Sequence, residues 1–73
     1  MRIDPMSTCI TANGKAYEIQ PGIPLSDFLK QLSLDPAWVV VELNGEPLPR
    51  ARVGEVRLGC GDRLEIVRAV AGG

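Results

Sequence analysis

The residues of this chain that could do chemistry are few, and the clearest group is at its end. The sequence finishes "RLEIVRAVAGG", with Gly72 and Gly73 following a strand-like run. Terminal glycine packs nothing and loses more backbone freedom on ordering than any other residue. The pair is therefore either accidental or functional. With 8 glycines in 73 residues, chance puts such a pair at roughly 1% of termini, and average glycine usage at fewer. A functional pair presents a carboxylate on bare backbone, which can enter another protein's narrow site because no Cβ widens the last two positions. Arg68, Ala69, Val70 and Ala71 form the approach and suit an extended strand in a partner's groove. The competing reading is a frayed end.

Little else supports catalysis. The chain has no histidine, which removes the commonest general base. Cys9 and Cys60 form neither a CxxC motif nor a disulfide framework, so zinc and iron–sulfur ligation are not expected. We read both as small residues of a reduced, cytoplasmic protein. There is no nucleophile–base pair and no phosphate-cradling loop, so the chain is not expected to be an enzyme or to bind a cofactor itself.

Composition narrows the class. Seventy-three residues make one domain, with 45% hydrophobic and 23% charged residues. A net charge of −1 gives no global attraction to nucleic acid or to membranes. Charge is uneven: residues 1–46 carry three basic and six acidic groups, and residues 47–73 carry five arginines and three acids. A solvated mixed surface is the simple reading; a weak docking patch around Arg50, Arg52 and Arg57 is the alternative. No stretch is long enough to span a bilayer, and "MRIDPMSTC" has no apolar signal core. Residues 1–7 read as a leader or extension, with Met6 an alternative start.

The periodicity then places elements. "CITANGKAYEI" reads as a hairpin turning at Asn13-Gly14, the pair suited to a type I′ turn. Ile10, Ala12, Tyr17 and Ile19 point inward. Leu25, Phe28, Leu29 and Leu32 recur at helical spacing, which predicts a core-facing helix of about ten residues. Pro24 suits its first turn, Asp27 lies near the positive end of its dipole, and Pro36 closes the segment. In "WVVVELNGEPLPR", Val39, Val41 and Leu43 share one strand face, and Val40 and Glu42 the other. Asn44-Gly45 turns the chain again, and Pro47 and Pro49 restrict the next segment to an edge strand or loop. Residues 50–62 read as irregular, broken by Gly54, Gly59 and Gly61. In "DRLEIV", Leu64 and Ile66 face inward, Arg63 and Glu65 outward. Val67 is an apolar group on the outer side, expected with Val70 to be partly exposed.

One helix and four or five strands must share one core, so the fold class is α+β, a mixed sheet with the helix across one face. If the helix crosses over between the first hairpin and the third strand, the first and last strands can pair centrally. That is the β-grasp, or ubiquitin-like, arrangement. We divide the chain into an extension (1–7), a β-grasp domain (8–68) and a flexible tail (69–73), and expect Arg68–Gly73 to have nothing to pack against. Arg50 and Asp62 read as structural turn residues.

The Asn-Gly hairpin, "PLSDFLKQLSLD", "NGEPLPR" and "GDRLEIVRAVAGG" together resemble the ThiS family, the ubiquitin-like sulfur carriers of thiamine biosynthesis. The resemblance runs from about Thr8 to Gly73. Its most specific pieces are Asn44-Gly45, Pro49-Arg50, Gly61-Asp62 and Val70-Ala71-Gly72-Gly73, in that order. The family often has an aromatic residue shortly after the Pro-Arg step, where Val53 is the nearest match here.

The resemblance implies that the Gly73 carboxylate is the working group. A ubiquitin-activating-enzyme-like adenylyltransferase (ThiF type) would convert it to an acyl-adenylate with ATP and Mg²⁺. A persulfide sulfur, ultimately from a cysteine desulfurase, would then leave a thiocarboxylate for delivery to a thiazole synthase (ThiG type). Val67, Arg68, Ala69, Val70, Ala71 and Gly72 would be the tail and partner-binding residues. The alternatives are the small subunit of molybdopterin synthase, more remotely a protein-conjugating modifier, and a non-catalytic β-grasp interaction module. Molybdopterin subunits tend to a proline-rich approach to the tail, and Val67-Arg68-Ala69 here favours the thiamine branch.

Overall fold

Two Asn-Gly pairs set the two sides of the sheet. The computed structural model describes residues 7–69. In it β1 (Thr8–Ala12) and β2 (Lys15–Ile19) form an antiparallel hairpin with Ala12 opposite Lys15. Both turn residues have positive φ, Asn13 at 52° and Gly14 at 80°. That is the type I′ geometry whose twist matches the flanking strands. Strands β3 (Val39–Leu43) and β4 (Glu46–Leu48) repeat the device through Asn44 (φ 53°) and Gly45 (φ 86°). Pro47 lies in β4, which is an edge strand, where a missing N–H leaves no ladder bond unmade.

The last strand, β5 (Arg63–Arg68), inserts between the hairpins to give the order β2-β1-β5-β3-β4. It runs parallel to β1 and antiparallel to β3. The first and last strands therefore pair at the centre, as expected for a β-grasp sheet. The parallel pair needs a crossover, which carries the α-helix α1 (Leu25–Gln31).

Leu25, Phe28 and Leu29 of α1 are buried against Ile10, Ala12, Ile19, Val39, Val41, Leu64 and Ile66 of the sheet. Each large apolar side chain buried this way contributes roughly 1.5–3 kcal/mol. The Tyr17 and Phe28 rings meet edge to face, centroids 5.4 Å apart. The alternation expected in β1, β3 and β5 is present: Val40, Glu42, Arg63, Glu65 and Val67 are exposed.

Three details differ from the sequence expectation. The helix has seven residues, not about ten, and Pro36 does not end it. It stops because Ser33 turns left-handed (φ 60°). The Leu34 N–H then donates to the Leu29 carbonyl (2.8 Å) and the Ser33 N–H to that of Lys30 (2.9 Å). This is a Schellman closure with serine where glycine is usual. Pro36 instead starts a short 3-10 turn, Pro36–Trp38, capped by the Asp35 carboxylate accepting from the Ala37 N–H at 2.8 Å. Pro24 caps α1 from outside rather than lying in its first turn, with an extended backbone and its carbonyl accepting from Asp27 and Phe28.

The third difference is in the irregular stretch, which is part of the core. Val53 and Leu58 are buried with the sheet and helix residues. The segment has no ladder of its own apart from a Pro24–Arg57 bridge and a 3-10 turn at Arg50–Arg52. It is tied across by Leu25 N–H to the Val56 carbonyl (2.9 Å) and Leu58 N–H to that of Ile23 (2.9 Å). At the Pro-Arg step, Val53 fills an interior position with an aliphatic side chain.

Candidate functional site

The candidate site is the end of β5, so what holds that strand matters first. Asn13 reaches from the first turn to the main chain of Ile66: its Nδ2 donates to the Ile66 carbonyl (2.9 Å), and its Oδ1 accepts from the Ile66 N–H (2.7 Å). Asn44 does the same at the start of the strand. Its Oδ1 accepts from the Arg63 N–H (2.9 Å), and its own N–H donates to the Arg63 carbonyl (2.7 Å). Asn44 Nδ2 also donates to Asp62 Oδ1 (3.1 Å), whose other oxygen accepts from the Gly59 N–H (2.9 Å). Each asparagine thus sets a turn and extends the bonding of the central strand. Sequence reading found the turns and missed the clamps, because the bonded backbone is 53 and 19 residues away. Asp62 is the structural turn residue expected.

Arg68 and Ala69 are held by the sheet. Arg68 is paired with Val39, and the Ala69 N–H donates to the Trp38 carbonyl at 2.8 Å. The expectation that the chain has nothing to pack against from Arg68 onward is corrected to this extent: the ladder holds it through Ala69. Val70, Ala71, Gly72 and Gly73, on which the acyl chemistry falls, lie outside the described residues.

Val67 stands on the uncovered side of the sheet, directly opposite Val40 on β3. They are 60% and 47% exposed, and Trp38, whose carbonyl holds Ala69, is 58% exposed. These three apolar groups flank the end of β5. Sequence reading expected Val67 to be exposed; Val40 and Trp38 join it only through the β3–β5 register. Arg68 has the inward parity of Leu64 and Ile66, yet it is exposed. Two grooves meet at Arg68. One of about 450 Å³ involves Lys15, Tyr17, Leu32 and Leu34; the other, about 350 Å³, involves Asp35, Trp38 and Ala69.

The arginines considered as a docking patch have local partners. Arg50 Nε donates to the Pro36 carbonyl (3.1 Å), and Arg57 Nη1 to that of Gly22 (3.2 Å). Arg52 pairs with Glu55 at 3.4 Å, an exposed ion pair of little energetic weight. Arg50 lies in the 3-10 turn that the irregular stretch contains.

The comparisons with known proteins decide the family. The model of the ThiS family matches residues 10–73, nearly the whole chain and both terminal glycines. The chain belongs to the ThiS family. A similar solved structure is the crystal structure of a thiamine biosynthesis protein (ThiS) from Geobacter metallireducens. It is 29% identical, with a TM-score of 0.77, over 90% of this chain and 100% of that one. The solution structure of a thiamine biosynthesis protein from the same organism gives a TM-score of 0.71 at 29% identity, over 90% and 88%. The ubiquitin-like domain of yeast Ddi1, 20% identical over 99% and 100% with a TM-score of 0.56, shares the fold alone. No curated protein matches at a significant level. Among the described residues of this ThiS-family chain, no helix is long and apolar enough to cross a membrane.

Proposed function

We propose that this chain is a sulfur carrier of thiamine biosynthesis and that the Gly73 carboxylate is its working group. The observation that carries the reading is the family match, which extends through Gly72-Gly73. A carboxylate is a poor acyl donor because its charge is delocalised and oxide does not leave. An adenylyltransferase partner, using ATP and Mg²⁺, replaces that barrier with a mixed anhydride whose AMP leaves. A persulfide sulfur attacks the carbonyl carbon and expels AMP, and a thiol then breaks the resulting S–S bond to leave a thiocarboxylate. A thiazole synthase receives this nucleophilic sulfur. The chain is the protein co-substrate of these steps, residues 8–68 the domain and 69–73 the tail, and the reading places it in the cytoplasm.

The geometry supports the reading in two ways. The paired asparagine clamps and the β3 ladder hold the strand that leads to the tail, so the approach is already fixed as far as Ala69 and that part costs no further ordering on binding. The Val40–Val67 pair and Trp38 offer apolar surface beside the exit, where a partner gripping the tail would also bury them.

Mass spectrometry of protein isolated from thiamine-starved, sulfur-replete cells tests the proposal. The expected species is heavier by the difference between sulfur and oxygen, localised to the C-terminal peptide. Only the unmodified mass under those conditions would overturn it.

A further inference from the structure

Cys9 and Cys60 are 51 residues apart in sequence, and the sheet brings their backbones together. The Gly61 N–H donates to the Cys9 carbonyl at 3.1 Å, and the Thr11 N–H donates to that of Asp62 at 3.0 Å. The segment carrying Cys60 therefore runs directly beside β1. Carried back from Thr11 opposite Arg63, the parallel register sets Gly61 opposite Cys9 and Cys60 one residue further along; with neighbouring strands about 5 Å apart and a rise of about 3.3 Å per residue, that diagonal falls inside the roughly 4.4–6.8 Å between Cα atoms that a disulfide spans. Both thiols are exposed and unbridged.

The segment holding Cys60 is also well fixed. The Asp62 N–H donates to the Gly59 carbonyl (3.2 Å), and Gly61 has φ 80°. That is the pattern of a type II turn with Cys60 at its first corner. The Asp62 carboxylate locks the turn further by accepting from the Gly59 N–H. Cys9, next to inward-facing Ile10, belongs to the open side of the sheet.

We propose that Cys9 and Cys60 form a dithiol pair that low-molecular-weight disulfides convert to an intramolecular disulfide, stapling β1 to the turn before β5. One thiolate attacks a sulfur of the small disulfide and releases the first small thiolate. The second cysteine, as thiolate, attacks the protein sulfur of that mixed disulfide and releases the other. The small disulfide gains two electrons, and the protein loses two electrons and two protons. The pair lies at the start of β5, and the tail leaves from its other end, so the proposal is independent of the carrier reading. It revises the view of the two cysteines as ordinary small residues.

The test uses the full chain, reduced, desalted and incubated with oxidised glutathione, then acid-quenched, alkylated and weighed intact. The expected product is a monomer lighter by two hydrogens with no alkylatable thiol. Closing so long a loop should raise its Tm by about 10 °C or more. Cys9→Ser and Cys60→Ser should each stop at one glutathione adduct and gain no such stabilisation. Two stable adducts on the unmutated chain, two thiols still open to alkylation, or disulfide-linked dimers would each overturn the proposal.

Discussion

At the residue scale, the features that matter combine a local role with a distant one. Asn13 accepts the positive φ of a type I′ turn and bonds both ways to Ile66. Asparagine supplies a donor and an acceptor, whereas an ionised aspartate only accepts. Asn13→Asp should therefore lose the bond to the Ile66 carbonyl and set negative charge against it. The expected loss is about 1–3 kcal/mol, read as a lower denaturation midpoint. A midpoint within error of the parent chain would rule the clamp out as a stabilising feature. On the proposed function, the terminal glycines make the opposite demand, being suited to what they lack. Adding one alanine after Gly73 should abolish sulfur transfer while leaving the thermal melt unchanged. Gly72→Val should slow adenylation by steric exclusion, and unaltered adenylation kinetics would remove that role.

At the element scale, the helix shows how a single residue sets a boundary. Leu25, Phe28 and Leu29 give α1 its buried face, and Leu32 continues the period. The spacing therefore suggests a longer helix than the backbone allows. Ser33 ends it by adopting φ 60°, a conformation that is unfavourable for a residue with a Cβ. Ser33→Gly should relieve this and stabilise the protein by about 0.5–1 kcal/mol, a rise of several degrees in Tm. A fall in Tm would mean that the serine side chain contributes something the backbone geometry does not reveal. The strands were more legible than the helix end. A period of two leaves only two choices of face, and Ile10, Ala12, Val39, Val41, Leu64 and Ile66 all take the expected one.

At the scale of the whole molecule, the topology assembles a surface from scattered residues. Val40 and Val67 are directly opposed only because β5 inserts between the hairpins and pairs with β3 in that register. Trp38 joins them because its carbonyl takes the Ala69 N–H. If this surface docks the activating partner, Val67→Arg should weaken binding to the adenylyltransferase at least tenfold, measured by calorimetry. Its Tm should stay close to that of the parent chain, since Val67 is 60% exposed. Undiminished affinity would move the docking surface elsewhere, and the grooves meeting at Arg68 would be the next place to test.

The amino-acid sequence alone determined the two hairpin turns, the helix face, the strand faces and the resemblance to a carrier family. Each depends on residues close in the chain, where backbone preference and side-chain period act directly. Only the tertiary structure decided the rest. Val53 and Leu58 lie in a stretch with no regular period, so nothing local marks them as interior; they are buried because sheet and helix leave space there. The asparagine clamps, the Val40–Val67 pair and the Cys9–Cys60 juxtaposition all span β5 and its neighbours. They exist because β5 inserts between β1 and β3, parallel to one and antiparallel to the other, and so brings distant segments within hydrogen-bonding distance; no pattern confined to one segment encodes that.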